Sequence, residues 1–197
     1  MATAAELLRQ GRREEVWRQY CGFLDLSLDA FMGIQERLLM EQIDLLGKCE
    51  LGRKLLGHRV PTSVEEFRQV VPLTTYDDYL PYLADKREDV LPGDVYLWAR
   101  TSGRSTEYQC KWAPYSREMT GKIGDFAVAA FLLASCRGKG DVRLEPDDVC
   151  LYTLAPPPYF TGAAVARGLS EQLNPVFIPP LDRGNAMDFG ERISEGF

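Results

Sequence analysis

The chain has 197 residues, of which 45% are hydrophobic and 26% charged, and a formal net charge of -6. It is long enough to bury one substantial core, or part of a larger one, with the composition of an ordinary globular protein. The acidic balance, with no concentration of Lys or Arg, excludes general electrostatic binding to nucleic acid, and no apolar run has the length to cross a bilayer.

The first sixty residues read as helices. Val16, Trp17, Tyr20 and Leu24 recur at helical spacing, and so do Phe31, Ile34, Leu38 and Leu45. Ser27 is placed to cap the second helix and Gly57 to stop it. These stripes are expected to cover the rest of the protein, with a partner-binding surface as the alternative. Arg12 and Arg13, followed at once by Glu14 and Glu15, read as a solvated helix face. Pro61 then breaks the pattern. Ser63 and Glu66 have the spacing of a capping box, and Thr74-Thr75-Tyr76-Asp77-Asp78 is a second helix start, with Pro81 in its first turns.

From Val90 the character changes. Val95–Arg100 is a strand candidate, and Tyr108–Ala113 is another, separated by a polar loop. Ser116 opens a long helix whose expected buried stripe is Met119, Ile123, Phe126, Ala130 and Leu133, and Arg137–Asp141 ends it. Val149–Leu154 is a compact apolar run of the kind a fully buried strand presents. The loop Ala155–Gly162 leads to a helix with Val165, Leu169 and Leu173, and a short strand follows around Val176, Phe177 and Ile178. This alternation implies parallel crossovers and an α/β core. Gly190–Phe197 looks like a helix in progress, so the chain reads as the leading part of a longer architecture.

The start lacks a signal-peptide core. Cys21, Cys49, Cys110, Cys136 and Cys150 form an odd, scattered set, which fits reduced thiols in a cytoplasmic protein. His58, the single histidine, cannot build a His-rich metal site, so no metal held by protein side chains alone is expected.

The polar loop carries the chemistry. Thr101-Ser102-Gly103-Arg104-Ser105-Thr106 offers four hydroxyls, one flexible backbone position and one guanidinium. Successive N–H groups ringed by hydroxyls suit the oxygens of a phosphate chain, and Arg104 adds charge-assisted donors. A polar turn joining two strands is the alternative. The loop is neither a Walker A motif nor a dinucleotide fingerprint, because it has a single glycine and no following Lys-Ser or Lys-Thr.

The segment VPLTTYDDYLPYL (Val71–Leu83), followed by LWARTSGRSTEYQCKWAPYSREM (Leu97–Met119), resembles the adenylate-forming superfamily. The similar branches are the phenylacetate–CoA ligase-like proteins and the plant auxin-responsive acyl-amido synthetases. APPPYFTG (Ala155–Gly162) is similar to a later family segment of prolines, an aromatic residue and a glycine. The resemblance covers Val60–Phe197.

The helical segment over residues 1–60 is compatible with it, and it implies an incomplete α/β adenylate-forming core over 61–197. The implied reaction joins a small-molecule carboxylate to ATP as an acyl-adenylate, releasing pyrophosphate, and then passes the acyl group to CoA or an amine. ATP and Mg²⁺ are the implied cofactors. By position, Thr101, Ser102, Gly103, Ser105 and Thr106 contact phosphates, while Tyr159 and Gly162 border the acyl pocket. No catalytic residue is assigned. The family's glycine and lysine after the hydroxyl pair are here Thr106 and Glu107, with Arg104 or Lys111 as replacement cations. The adenine segment, the ribose-binding aspartate and the catalytic lysine have no counterpart in these 197 residues, so little or no adenylation by this chain alone is expected. The alternative is a non-catalytic interaction module derived from that fold, with an unpaired sheet edge favouring self-association.

Overall fold

The computed structural model describes residues 1–57, 59–101, 111–188, 190–191 and 194. Among the described residues the molecule is mostly helical, with four short strands in two separate two-stranded sheets.

The helical start is capped as its sequence dictates. Helix α1 (Ala4–Arg9) opens on a capping box in which Thr3 and Glu6 satisfy each other's backbone N–H groups. Helix α2 (Arg13–Cys21) buries Val16, Trp17, Tyr20 and Cys21. Arg13 is not part of a solvated face: its guanidinium donates to the carbonyls of Val142 and Leu144 at 2.9 and 3.1 Å and to Glu145 at 2.5 Å.

Ser27 caps α3 (Leu28–Gly47), but the helix ends ten residues before Gly57. There the Cys49 thiol accepts from the Gly52 amide and opens α4 (Glu50–Leu56). The close approach of the two helices requires Gly52, since a Cβ there would lie 2.0 Å from the Leu46 carbonyl oxygen. The stripe on α3 does not cover the rest of the protein. Ile43 is its one buried residue, while Leu28 is 74% exposed and Phe31, Leu38 and Leu45 are about two-fifths exposed.

Helix α5 (Val64–Val70) begins on half of the expected capping box. Ser63 accepts from the Glu66 amide, but the Glu66 carboxylate takes the Thr62 N–H and hydroxyl instead. The two hydrogen bonds from Thr62, with a smaller contribution from Arg59, hold that carboxyl below its ordinary pKa. Helix α6 (Tyr76–Leu83) has the full box between Thr75 and Asp78, with Pro81 inside it.

Strand β1 (Leu97–Arg100) pairs antiparallel with β2 (Trp112–Tyr115), Leu97 opposite Tyr115 and Arg100 opposite Trp112. The second strand thus runs past Ala113, the end expected from the sequence. Helix α7 (Arg117–Ser135) is capped by Ser116 as expected, and buries a stripe that shares only Ile123 with the one predicted. Thr120, Ile123, Gly124, Ala127, Val128 and Leu132 face inward, whereas Met119 and Phe126 are 51% and 75% exposed. The reason is close packing against α8 (Arg167–Gln172). A Cβ on Gly124 would sit 2.5 Å from the Gly168 carbonyl oxygen, so only the small-residue face of α7 can reach its neighbour.

Strand β3 (Val149–Leu151) pairs parallel with β4 (Val176–Ile178) through a crossover that contains α8. It is not fully buried: Val149 and Leu151 are 61% and 45% exposed. Among the described residues the helices cover one face of this pair and leave the other open. Helix α9 (Leu181–Ala186) follows, and the predicted terminal helix lies largely outside the described residues.

The main core joins α1 and α2 to α7, α8 and the parallel strand pair, through Leu7, Leu8, Trp17, Val128, Leu132, Tyr152, Leu169 and Phe177. A smaller cluster around Cys49, Leu51 and Val90 ties α4 to the start of the hairpin region. Among the described residues no helix is long and apolar enough to cross a membrane, and no acidic, Cys or His cluster could hold a metal. Cys21, Cys49, Cys136 and Cys150 are free, while Cys110 lies outside the described residues.

Candidate functional site

The β1–β2 hairpin carries the polar loop, and the structure describes both ends of its stem. The Thr101 amide donates to the Lys111 carbonyl at 3.0 Å, and the Lys111 amide returns a bond to the Thr101 hydroxyl at 3.2 Å. Accepting that bond leaves the hydroxyl's own proton to donate elsewhere. Ser102, Gly103, Arg104, Ser105, Thr106 and Glu107 lie outside the described residues. The ammonium of Lys111 lies 5.2 Å from the centroid of the Tyr76 ring.

Tyr76 joins the two motif-bearing stretches. Its phenol accepts from the Trp112 amide at 3.0 Å and reaches the Trp112 carbonyl at 3.3 Å. The first residue of α6 therefore pins the strand that leaves the loop. Lys86 adds a second clamp, with its ammonium 3.6 Å from the centroid of the Trp112 ring.

On the other side of β1 lies the proline-aromatic segment. The Arg100 amide donates to the Pro158 carbonyl at 2.9 Å, and Arg100 and Tyr159 form a single parallel bridge. The Arg100 guanidinium stands 4.6 Å from the Tyr159 ring centroid and donates to its hydroxyl at 3.1 Å. Phe160 meets Tyr115 of β2 at 5.4 Å between centroids, and burial pushes the Tyr115 phenol pKa upward. Thr101 and Tyr159, 58 positions apart in the chain, thus belong to one neighbourhood through Arg100.

Gly162 sits just beyond, at the start of a π-helical stretch over Thr161–Ala166 that runs into α8. A Cβ on Gly162 would come within 2.4 Å of the Ala155 carbonyl oxygen, so the chain can double back there only with glycine. Wide turns of this type concentrate at functional sites. Gly162 also lines a cleft of about 560 Å³ whose walls include Leu97, Trp98, Pro158, Ala163 and Leu181, with Arg167 at its polar side. Arg167 is steered by the Tyr96 ring, 4.8 Å away, and by Glu171 at 3.7 Å. The volume is that of a small-molecule site, and its lining mixes the apolar wall with Arg167, Ser170, Glu171 and Asn185, while Tyr159 lies next to the lining residue Pro158 rather than in the wall.

The GH3 family N-terminal domain matches residues 23–140, more than half of the chain. The chain belongs to the GH3 family. No curated protein and no solved structure matches it significantly. The GH3 family is that of the auxin-responsive acyl-amido synthetases, part of the adenylate-forming superfamily, so the family reaction is ATP-dependent acyl-adenylate formation. The match spans the helices from α3 to α7 and both strands of the hairpin.

Sequence reasoning missed Arg100, Trp98 and Arg167. The signal for Arg100 was available: in a strand ending at the loop, period-2 alternation puts it on the face of Trp98 and opposite Trp112. Nothing local marked Arg167, whose place at the cleft depends on Tyr96, 71 positions earlier in the chain.

Proposed function

We propose that this chain carries the phosphate grip and part of the acid pocket of an ATP-dependent, carboxylate-activating ligase. One observation carries the reading: the stem of the hydroxyl loop and the proline-aromatic segment are joined at Arg100, by the Pro158 backbone bond and the Tyr159 hydroxyl. Residues 1–60 are then the helical lead-in, and residues 61–197 carry the loop. Thr101, Ser102, Gly103, Arg104, Ser105 and Thr106 hold the β- and γ-phosphates. The cleft beside Tyr159 and Gly162 takes the acid.

The donor set fits a nucleotide's phosphate chain, since the Thr101 hydroxyl keeps a proton to give and Arg100 has a side-chain N–H without an acceptor. Mg²⁺ would arrive with the phosphates and be held mainly by them and by water, as that ion commonly is. Bound ATP supplies the electrophilic α-phosphorus. The chain's own residues orient the phosphates, neutralise charge and enclose the acid. In the family reaction the acyl group next passes to CoA or an amine.

Calorimetric titration with Mg·ATP tests this. Saturable binding that is abolished by Ser102→Ala and by Gly103→Val supports it. A folded chain that binds nothing at millimolar ATP overturns it. That second outcome favours a non-catalytic interaction module, for which the exposed stripe of α3 speaks. Phe31, Leu38 and Leu45 recur at a strict interval of seven, so a second copy running antiparallel about Leu38 sets Phe31 against Leu45 on both sides. Sedimentation would then show a dimer that Leu38→Glu dissociates.

A further inference from the structure

We infer that Arg100 is an oxyanion-binding residue, the cation that holds the polyphosphate end of the ligand at the root of the loop. The inference rests on the nucleotide-binding reading above and goes beyond it by assigning a residue that motif comparison leaves out.

Three features converge on this side chain. First, the guanidinium is fixed in place. It is anchored by one N–H to the Tyr159 hydroxyl at 3.1 Å, and it lies over the ring of the same residue. Stacking of this kind preorganises the planar fork and lowers the entropy lost when a ligand is gripped. Second, the Nε–H is shielded from solvent and has no hydrogen-bond acceptor. A buried donor left unpaired costs on the order of 1–3 kcal/mol, a cost that a bound acceptor at this strand end would remove; the other such donor among the described residues, the Trp17 indole N–H, lies inside the core. Third, among the described residues no carboxylate pairs with Arg100; Arg9, Arg53, Arg68, Arg117 and Arg143 also lack one but are exposed, whereas Arg100 is half-buried. A half-buried cation without a counter-ion is unfavourable unless an anion completes it.

Its position identifies the anion. Arg100 is the last residue of β1, so its Cα lies one peptide, about 3.8 Å, from that of Thr101. Thr101 begins the hydroxyl run. The guanidinium edge that carries Nε matches two oxygens of a phosphate group, and a point charge such as the displaced family lysine would make no such paired contact. Lys111, the other described candidate, stands over Tyr76 instead.

The test uses the full chain and four probes: Mg·ATP, sodium tripolyphosphate, adenosine and phenylacetate, titrated against the native protein, Arg100→Gln and Arg100→Lys. Arg100→Gln should weaken tripolyphosphate and ATP at least tenfold and leave adenosine and phenylacetate within twofold. Arg100→Lys should recover part of the loss. If the native chain binds tripolyphosphate but not ATP, and Arg100→Gln abolishes that binding, the inference stands and the nucleotide reading falls. Arg100→Gln that folds and binds tripolyphosphate like the native chain overturns the inference and leaves the nucleotide reading intact. A loss confined to phenylacetate also overturns it, since Arg100 would then serve the acid. Should Arg100→Gln not fold, Tyr159→Phe decides. It releases the anchored N–H and keeps the ring, and should weaken tripolyphosphate severalfold; unchanged affinity contradicts the assignment.

Discussion

Single residues carry the sharpest constraints. Gly162 stands where a Cβ would meet the Ala155 carbonyl oxygen at 2.4 Å and the Pro156 carbonyl carbon at 2.7 Å, both backbone atoms that cannot step aside. Gly162→Ala should therefore cost about 1–3 kcal/mol and distort the cleft, which thermal unfolding would register as a lowered Tm. Tyr20 is nearly buried, donates to Gln172 at 2.9 Å, and has its phenol pKa pushed up to about 12, chiefly by burial. The raised value means that the folded state prefers the neutral phenol. Its stabilising contribution is complete below about pH 10, the value in the unfolded chain, and is lost as pH rises through about 12. Between those limits native stability should fall by about 1.4 kcal/mol per pH unit more steeply than that of Tyr20→Phe. Parallel denaturation curves for the two proteins from pH 9 to 12 would contradict the assignment.

At the scale of elements, two helices make opposite statements. The α7–α8 contact is built on Gly124 and Gly168, where an added Cβ on Gly168 would lie 2.7 Å from the Gly124 amide nitrogen and 3.1 Å from the Thr120 carbonyl oxygen. Gly168→Ala should force the helices apart and destabilise the fold by about 1–3 kcal/mol, measured by denaturant midpoint. On α3, by contrast, Leu38 is 41% exposed. Leu38→Gln should change stability by less than about 0.5 kcal/mol. Much of this was legible in the sequence. Ser27, Thr75 and Ser116 announced their helices because a capping side chain and the N–H it serves are only three residues apart. The buried faces were not legible in the same way. Periodicity marked Met119 and Phe126 as core because they are large and apolar, but the partner helix approaches through glycine, which selects the small face. Such a choice depends on α8, whose Gly168 lies 44 positions after Gly124.

Across the whole molecule, the order of motifs along the chain becomes proximity. VPLTTYDDYLPYL meets the strand after the loop through Tyr76 and Trp112, and APPPYFTG meets the strand before it through Arg100 and Tyr159. The resemblance named Thr101, Tyr159 and Gly162 as site residues, whereas strand alternation placed Arg100 on a face but only its bond to Tyr159 and its unpaired Nε point to a role. The most direct measurement is hydrogen–deuterium exchange of the full chain with and without Mg·ATP, followed by peptide. The account predicts that ATP slows exchange together in peptides covering residues 97–112 and 155–162. ATP binding that leaves both segments unchanged, or protects only the helices of residues 1–60, would contradict it.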